Sequence, residues 1–213
     1  MRTAALLLAA LLAPPLIAQV DVGAKVGGNV APDGKTEIHC DLPGSQHLHN
    51  KGGSDRAGLC VFTSCDHAAR WQNIPALIGL RDYMTKYPGG GWPEKLAKYI
   101  TKICKERGVP EPKYVQIENS KDLEILKLAC KPGRMVCITY ERSPTGRYNG
   151  SKIAHMVNLP HADNAWFAVL DNNYEGPTRY EWAPPDEWLR VTNPRGFWAV
   201  VFLDGPPPPP PSN

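Results

Sequence analysis

Three side chains whose types allow nucleophilic chemistry stand out in the sequence, namely Cys60, His155 and Asp171. A Cys thiolate is a nucleophile, and a nearby imidazole can take up the thiol proton. A carboxylate on the other ring nitrogen then holds the imidazole in one tautomer and orientation. The three residues lie far apart in the chain, so they form a site only if the fold brings them together.

Cys60 opens a stretch that is predicted to be a helix. Residues 60–71 contain no Gly or Pro, and their apolar residues recur at spacings of three and four. The dipole and free N–H groups of a first helical turn stabilise a thiolate, and the same N–H groups can face an oxyanion. Cys65 is the alternative nucleophile, but we favour Cys60 because a sulfur one turn further along is expected in the core. A small buried Cys, or half of a disulfide, is the structural alternative for Cys60.

His155 lies in an apolar segment, residues 153–159, that is predicted to be a strand. A short connection leads to a second strand over 166–170, and Asp171 follows it, with Asn172 as a supporting residue. Adjacent antiparallel strands place the start of one beside the end of the other, so Asp171 can meet His155. The alternatives are a core His held by a structural hydrogen bond, and an oxygen-rich calcium loop over 171–176 that we rank lower.

The remaining patterns predict helices in the first half of the chain and strands in the second. Further helices are expected over 76–86, 93–107, 121–130 with Ser120 as its cap, and near 185–190. Further strands are expected over 114–117, 135–140, 180–182 and 197–203. Helices followed by antiparallel strands indicate an α+β fold.

The two ends of the sequence differ in composition from the middle. Residues 1–18 have a positive start, an apolar run and small residues at the end, which predicts a secretory signal peptide and a secreted or periplasmic protein. An uncleaved membrane anchor is the alternative, and no span is expected in the mature chain. We interpret residues 19–45 as a leader or pro-segment loop, 46–204 as one domain, and 205–213 as a proline-rich tail.

Charge and cysteine content limit the partners and the covalent links. The net charge is +3 and the lysines are dispersed, so a nucleic-acid partner is not expected. Export permits disulfides among the six Cys. Cys130 and Cys137 could be bridged, with Cys104 as a competing partner.

A second group of residues could bind a metal ion, since His and Cys are zinc ligands. Its members precede the helix of Cys60 in a long loop: His39, Cys40, His47 and His49. Their spacing matches no closed zinc motif, so we interpret them as dispersed loop residues. No metal or cofactor is expected for the protein.

The order Cys, His, Asp resembles that of papain-like cysteine peptidases, and more closely that of the double-glycine leader peptidases. Their helix resembles Cys-Gly-Pro-Ala-Ser-Leu, and residues 60–65 read Cys-Val-Phe-Thr-Ser-Cys. Their second motif is His-x-Val with an Asp after a hairpin, matched by residues 155–157 and Asp171. The resemblance covers roughly residues 46–203. It implies a papain-like α+β domain, with a central helix started by the Cys, that cleaves or transfers a peptide or amide carbonyl through a thioester.

The chain departs from this family at the oxyanion hole. The family has a Gln six positions before its Cys, where this chain has Ser54, and Gln46 and Asn50 are the upstream amides that could replace it. The residue after the nucleophile is Val61 instead of Gly. The expected partner is a peptide or protein substrate, such as one of the cell envelope. A catalytically silent module that binds such a partner is the competing hypothesis, and acyl transfer instead of hydrolysis is a third.

Overall fold

The computed structural model describes residues 23–52, 57–192 and 194–205. The interpretations of residues 1–18, of Ser54 and of the proline run in 205–213 lie outside these ranges, except for Gly205. The strands are β1 Lys25–Gly27, β2 Tyr114–Ser120, β3 Val136–Tyr140, β4 His155–Ala162, β5 Phe167–Leu170, β6 Tyr180–Ala183 and β7 Phe197–Phe202. The α-helices are α1 Cys60–Trp71, α2 Leu80–Met84, α3 Pro93–Arg107, α4 Leu123–Cys130 and α5 Pro185–Thr192.

All seven strands form one antiparallel sheet in the order β1-β6-β5-β4-β3-β7-β2. The expected α+β class is confirmed. The central position of β4 puts His155 and the segment after β5 next to each other, as the hairpin pattern predicts. None of the helices in the described ranges is long and apolar enough to cross a membrane.

The sheet lies between two helical layers, each with its own apolar cluster. On one face, α1, α2 and α3 pack over Met156, Val200 and Phe202. On the other face, α4 and α5 pack over Val157 and its neighbours, with Trp188 fully buried. Helix α1 is buried over almost its whole length, so its polar residues must find partners inside the protein.

The observed helix boundaries differ from the sequence expectation at two places. Helix α2 spans five residues instead of 76–86, because a turn precedes it and Gly79 (φ 86°) caps it in the left-handed region. Ser120 is the last residue of β2, paired with Phe197, and does not cap α4. Asp122 is the cap, its Oδ1 accepting the Glu124 N–H at 2.9 Å.

Part of the segment 19–45, which the sequence predicts to be a leader or pro-segment loop, packs against the sheet. Strand β1 pairs with β6 at the edge of the sheet. Ala31 and Ile38 pack in a third apolar cluster with Trp182, whose Nε1 donates to the Gly28 carbonyl at 3.0 Å. The apolar residues of this segment have no helical or strand periodicity, so the sequence did not predict this packing.

All six cysteines are free thiols and buried. The possible bridge between Cys130 and Cys137 does not form, because the two side chains belong to clusters on opposite faces of the sheet. The Cys130 thiol donates to the Leu159 carbonyl at 3.4 Å. The Cys137 sulfur accepts from Asn158 Nδ2 at 3.6 Å.

Candidate active site

Cys60 is the first residue of α1, as the sequence predicts. The preceding residue, Leu59, has no side chain that caps the helix, and its own N–H donates to the Lys51 carbonyl at 2.8 Å. The N–H groups of the first turn are therefore left for other acceptors. The Cys60 sulfur is hydrogen-bonded to the backbone of Val61 in that turn, and to the backbone of Met156 on β4.

His155 begins β4, where it pairs with Tyr140 of β3. Its Nε2 lies 2.9 Å from Asp171 Oδ1. The imidazole is also hydrogen-bonded to the Cys60 thiol, and Nδ1 is the nitrogen that remains for this contact. The structure thus brings together all three residues that the sequence singled out. Cys65 lies deeper in α1, fully buried and hydrogen-bonded to Cys137.

The three groups stabilise one another as charges. Burial would raise the pKa of Cys60, but the hydrogen bond and positive charge of His155 outweigh it and lower the pKa from its ordinary value. Burial would lower the pKa of His155, and Asp171 and Cys60 together raise it to about 9. Against the effect of burial, His155 and Tyr140 lower the pKa of Asp171 to about 2. The arrangement favours a thiolate beside an imidazolium.

Asp171 is completely buried and is held by donors on both oxygens. Tyr140 and Tyr148 donate their hydroxyls to Oδ2 at 2.6 and 2.7 Å. The Asn173 N–H donates to Oδ1 at 2.9 Å, next to the His155 contact. With Oδ2 occupied by two phenols, the carboxylate can present only Oδ1 to the imidazole.

Cys60 and His155 line an open cleft of about 970 Å³. Gly58, Gly90 and Gly91 line the same cleft, together with Asn119 and Trp198. A side chain at Gly91 would collide with Val61, since its Cβ would lie 2.5 Å from the Val61 Cβ. The cleft beside the thiol is therefore lined partly by bare backbone.

Of the three supporting amides, only Asn50 lines the cleft. Its Nδ2 donates to Asn173 Oδ1 at 3.0 Å, and its buried Oδ1 has no hydrogen-bond partner. Gln46 lines a separate pocket beside Trp71, so the structure does not bring it to the cleft of Cys60. The direction in which the long loop before α1 turns cannot be predicted from its sequence.

Asn172 is buried away from the cleft and has a structural contact instead of a catalytic one. Its Nδ2 donates to Ser64 Oγ at 3.0 Å and to the Met156 carbonyl at 2.9 Å. These bonds join the end of β5 to α1 and β4. Asn172 therefore fixes the distance between the elements that carry Asp171, Cys60 and His155.

Several residues around Asp171 were missed in the sequence: Tyr140, Tyr148, Asn173, Arg147 and Glu181. Glu181 carried a usable signal, because an acid between Tyr180 and Trp182 in an apolar strand must find a buried partner. Arg147 and Tyr148 lie in a polar loop that has no pattern. Tyr148 has left-handed backbone (φ 60°), which a sequence does not reveal for a tyrosine.

The loop histidines do not converge on a common point. His39 packs on His161, with ring centroids 4.1 Å apart, and His47 packs near His67 at 5.7 Å. His49 lies on the surface near Glu175. No cluster of three or more His, Cys, Asp or Glu residues suited to a metal ion occurs in the described ranges, which include residues 171–176.

Comparisons with protein-family models, with curated proteins and with solved structures find no match to this chain. What the chain can do is therefore inferred from the geometry of the cluster. A thiol at a helix N-terminus, a buried imidazole and a carboxylate in one hydrogen-bonded row suit nucleophilic attack followed by proton return. The open cleft gives a reacting group access to the thiol.

Proposed function

We propose that the protein is a papain-like cysteine peptidase or amidase that acts outside the cytoplasm. The observation that carries the proposal is the continuous row Cys60, His155, Asp171, with the thiol at the start of α1 and open to the cleft. The resemblance to papain-like peptidases in chain order supports the same reading. The apolar run in residues 1–18 supports export.

The proposed reaction begins with the thiolate of Cys60 attacking the carbonyl carbon of a peptide or amide. Negative charge develops on the carbonyl oxygen and is stabilised by N–H groups of the first turn of α1. The imidazolium of His155 gives its Nδ1 proton to the leaving amine, and a thioester remains on Cys60. His155 then takes a proton from water, the hydroxide attacks the thioester, the C–S bond breaks, and the acid product leaves with the thiolate of Cys60 and the imidazolium of His155 restored.

Asp171 holds His155 in the orientation that this reaction requires. Its Oδ1 accepts from Nε2, so the proton that moves is the one on Nδ1. The carboxylate also stabilises the imidazolium, because the two opposite charges are buried together. Asn50 is the amide in the cleft that can add a side-chain donor to the oxyanion once its bond to Asn173 is exchanged.

The proposal is tested by the pH dependence of alkylation of Cys60 with iodoacetamide, read by peptide mapping. We expect rapid alkylation at pH 6, well below the ordinary thiol range near 8.5. In His155→Ala the rate at pH 6 should fall by about 100-fold, the size of a pKa change of two units. Cys65→Ala is the matched control and should alkylate like the wild type. An inert Cys60 in the folded wild-type protein contradicts the proposal.

Turnover separates hydrolysis from its alternatives. A library of peptide amides should be cleaved by the wild type and left intact by Cys60→Ala. Incorporation of an added amine in place of water would assign acyl transfer. Both reactions pass through the same thioester on Cys60. The product therefore distinguishes hydrolysis from acyl transfer, while the nucleophile is the same in both.

A catalytically silent binding module is the second candidate. It is favoured by the Asn50 amide, which is engaged by Asn173, and by Val61, which fills the space beside Gly91. This candidate predicts peptide binding that Cys60→Ala retains and no product from any substrate. Fast alkylation together with turnover would exclude it.

A further inference from the structure

A buried ion pair lies directly behind Asp171, on the side away from His155. The Arg147 and Glu181 side chains are 6% and 0% exposed. Arg147 Nη1 is 3.4 Å from Glu181 Oε1 and 3.7 Å from Asp171 Oδ2. Neither Nη1 nor Oε1 has a hydrogen-bond partner. The guanidinium therefore acts on both carboxylates through its charge.

Both charged groups are fixed in place by their other atoms. Glu181 Oε2 accepts from the Ser143 hydroxyl and, at 2.5 Å, from Thr145 Oγ1. Arg147 Nη2 donates to the Thr178 carbonyl, and the guanidinium lies over the Tyr174 ring, 4.0 Å from its centroid. Neither group can swing away to solvent, so their charges act on the site permanently.

The sign of each charge has a consequence for His155. A lone cation beside Asp171 would weaken the field that keeps the imidazole protonated, because like charges repel. An anion next to that cation offsets it. With Arg147 shared between two carboxylates, the buried set of Arg147, Asp171 and Glu181 has one net negative charge, which favours the protonated imidazole at His155.

We propose that Glu181 is a positioning residue that acts through Arg147 to keep His155 protonated, and so sustains the thiolate of Cys60. This inference rests on the proposed function, since it gives a role to the charge state of the same row. Arg147 attaches the loop around residues 142–151 to the site and brings a positive charge close to Asp171. The negative charge of Glu181 offsets this positive charge, which would otherwise favour loss of the proton from His155.

The other titratable groups that face His155 do not replace this pair. Tyr140 and Tyr148 have their pKa raised far above neutrality by burial and by Asp171, so they stay uncharged. Cys60 on α1 is the reacting partner itself. Lys152 and Glu141 at the cleft are paired at 3.0 Å, and their charges offset each other.

The test is an NMR titration of the His155 imidazole in the full-length protein, assigned by its absence in His155→Ala. We expect Glu181→Gln to lower the midpoint and Arg147→Met to raise it. Each shift should be about one pH unit, the size expected for one buried charge roughly 10 Å away at an effective dielectric constant of about 20. The double variant should titrate near the wild type.

Arg147→Lys is the matched control, because it retains the charge and loses the fork of donors. It should leave the midpoint unchanged. A Lys variant that shifts like Arg147→Met, or two single variants that shift in the same direction, would overturn the proposal and assign the pair a packing role. If Glu181→Gln does not fold, the double variant is compared with Arg147→Met, and its midpoint should be lower by about one pH unit because only Glu181 differs between them.

The titration is independent of turnover, so the two proposals fail separately. If Cys60 is inert but the two variants shift the His155 midpoint in the expected opposite directions, the proposed enzyme activity is contradicted and the role of Glu181 is supported. If Cys60 is reactive but neither variant changes the His155 midpoint, the proposed activity is supported and the role of Glu181 is contradicted.

Discussion

Two of the polar contacts between helix α1 and β4 each contain a histidine, and these two contacts are built from similar parts but differ in charge. At one, Cys60 faces His155, whose other nitrogen is bonded to Asp171. At the other, His67 Nδ1 lies 3.0 Å from Asn158 Oδ1, and its Nε2 accepts the Leu48 N–H at 2.7 Å. Both imidazoles are buried.

The difference between the two histidines is the charge of their partners. Burial, with the cations around it, lowers the pKa of His67 to about 3, although its hydrogen bond to Asn158 opposes the shift. The pKa of His155 is raised to about 9, because a carboxylate and a thiolate outweigh the same burial. A buried imidazole is thus neutral and structural beside an amide, and charged beside an acid.

Asp171→Asn gives His155 the same kind of partner as His67 and should have the largest effect. The pKa of His155 should fall, because Cys60 alone then opposes the effect of burial. Alkylation of Cys60 by iodoacetamide at pH 6 should then slow by about 100-fold, since an opposite charge changes a pKa by one to three units. Asp122→Asn, at the cap of α4, is the control for the chemical change. An unchanged alkylation rate in Asp171→Asn would contradict the claim that the Asp171 carboxylate keeps His155 charged.

The neutral histidine should make the protein sensitive to acid. His67 has a folded pKa below its unfolded value of 6.5, so its contribution to stability is complete above pH 6.5 and is lost as the pH falls toward 3. The free energy of unfolding should decrease by about 1.4 kcal/mol per pH unit over this range from His67 alone. Urea unfolding from pH 7 to pH 4 measures it. In His67→Gln this part of the slope should disappear, and an equal slope in both proteins would refute the assignment.

Asn172→Ala tests the link between the two contacts. Loss of the bonds to Ser64 and to the Met156 carbonyl should cost about 2 kcal/mol in unfolding free energy. The pH at which Cys60 becomes reactive should remain that of the wild type, because no charge is removed. A shift of that pH by a full unit would show that Asn172 acts on the charges as well as on the packing.

Glu141→Gln should have the smallest effect. The Glu141–Lys152 pair is partly exposed at the cleft, and such pairs contribute less than about 1 kcal/mol. Stability by urea unfolding should change by no more than this, and the alkylation rate of Cys60 by less than about two-fold. A larger change in rate would mean that charged groups at the cleft, and not only those behind Asp171, determine the fraction of Cys60 that is a thiolate.

The parts that could be predicted from sequence are those with a local physical signal. Helix α1 was predictable because twelve residues without Gly or Pro carry a helical apolar period. The meeting of His155 with Asp171 followed from a short hairpin. Gln46 was misplaced because its direction depends on packing of an irregular loop. Arg147 reaches the site through a single side chain, which no pattern encodes.

Strand β7 follows the other six strands in sequence but lies between β3 and β2. Its Trp198, Val200 and Phe202 belong to the apolar cluster on which α1 rests. Pairing between distant segments is intrinsically slow, because the chain between them must first be closed into a loop. A growing chain that has not yet released residues 197–202 has β3 and β4 but lacks the β7 part of the apolar surface beneath α1. The surface that supports the reactive thiol is therefore complete only when almost all of the described domain has emerged.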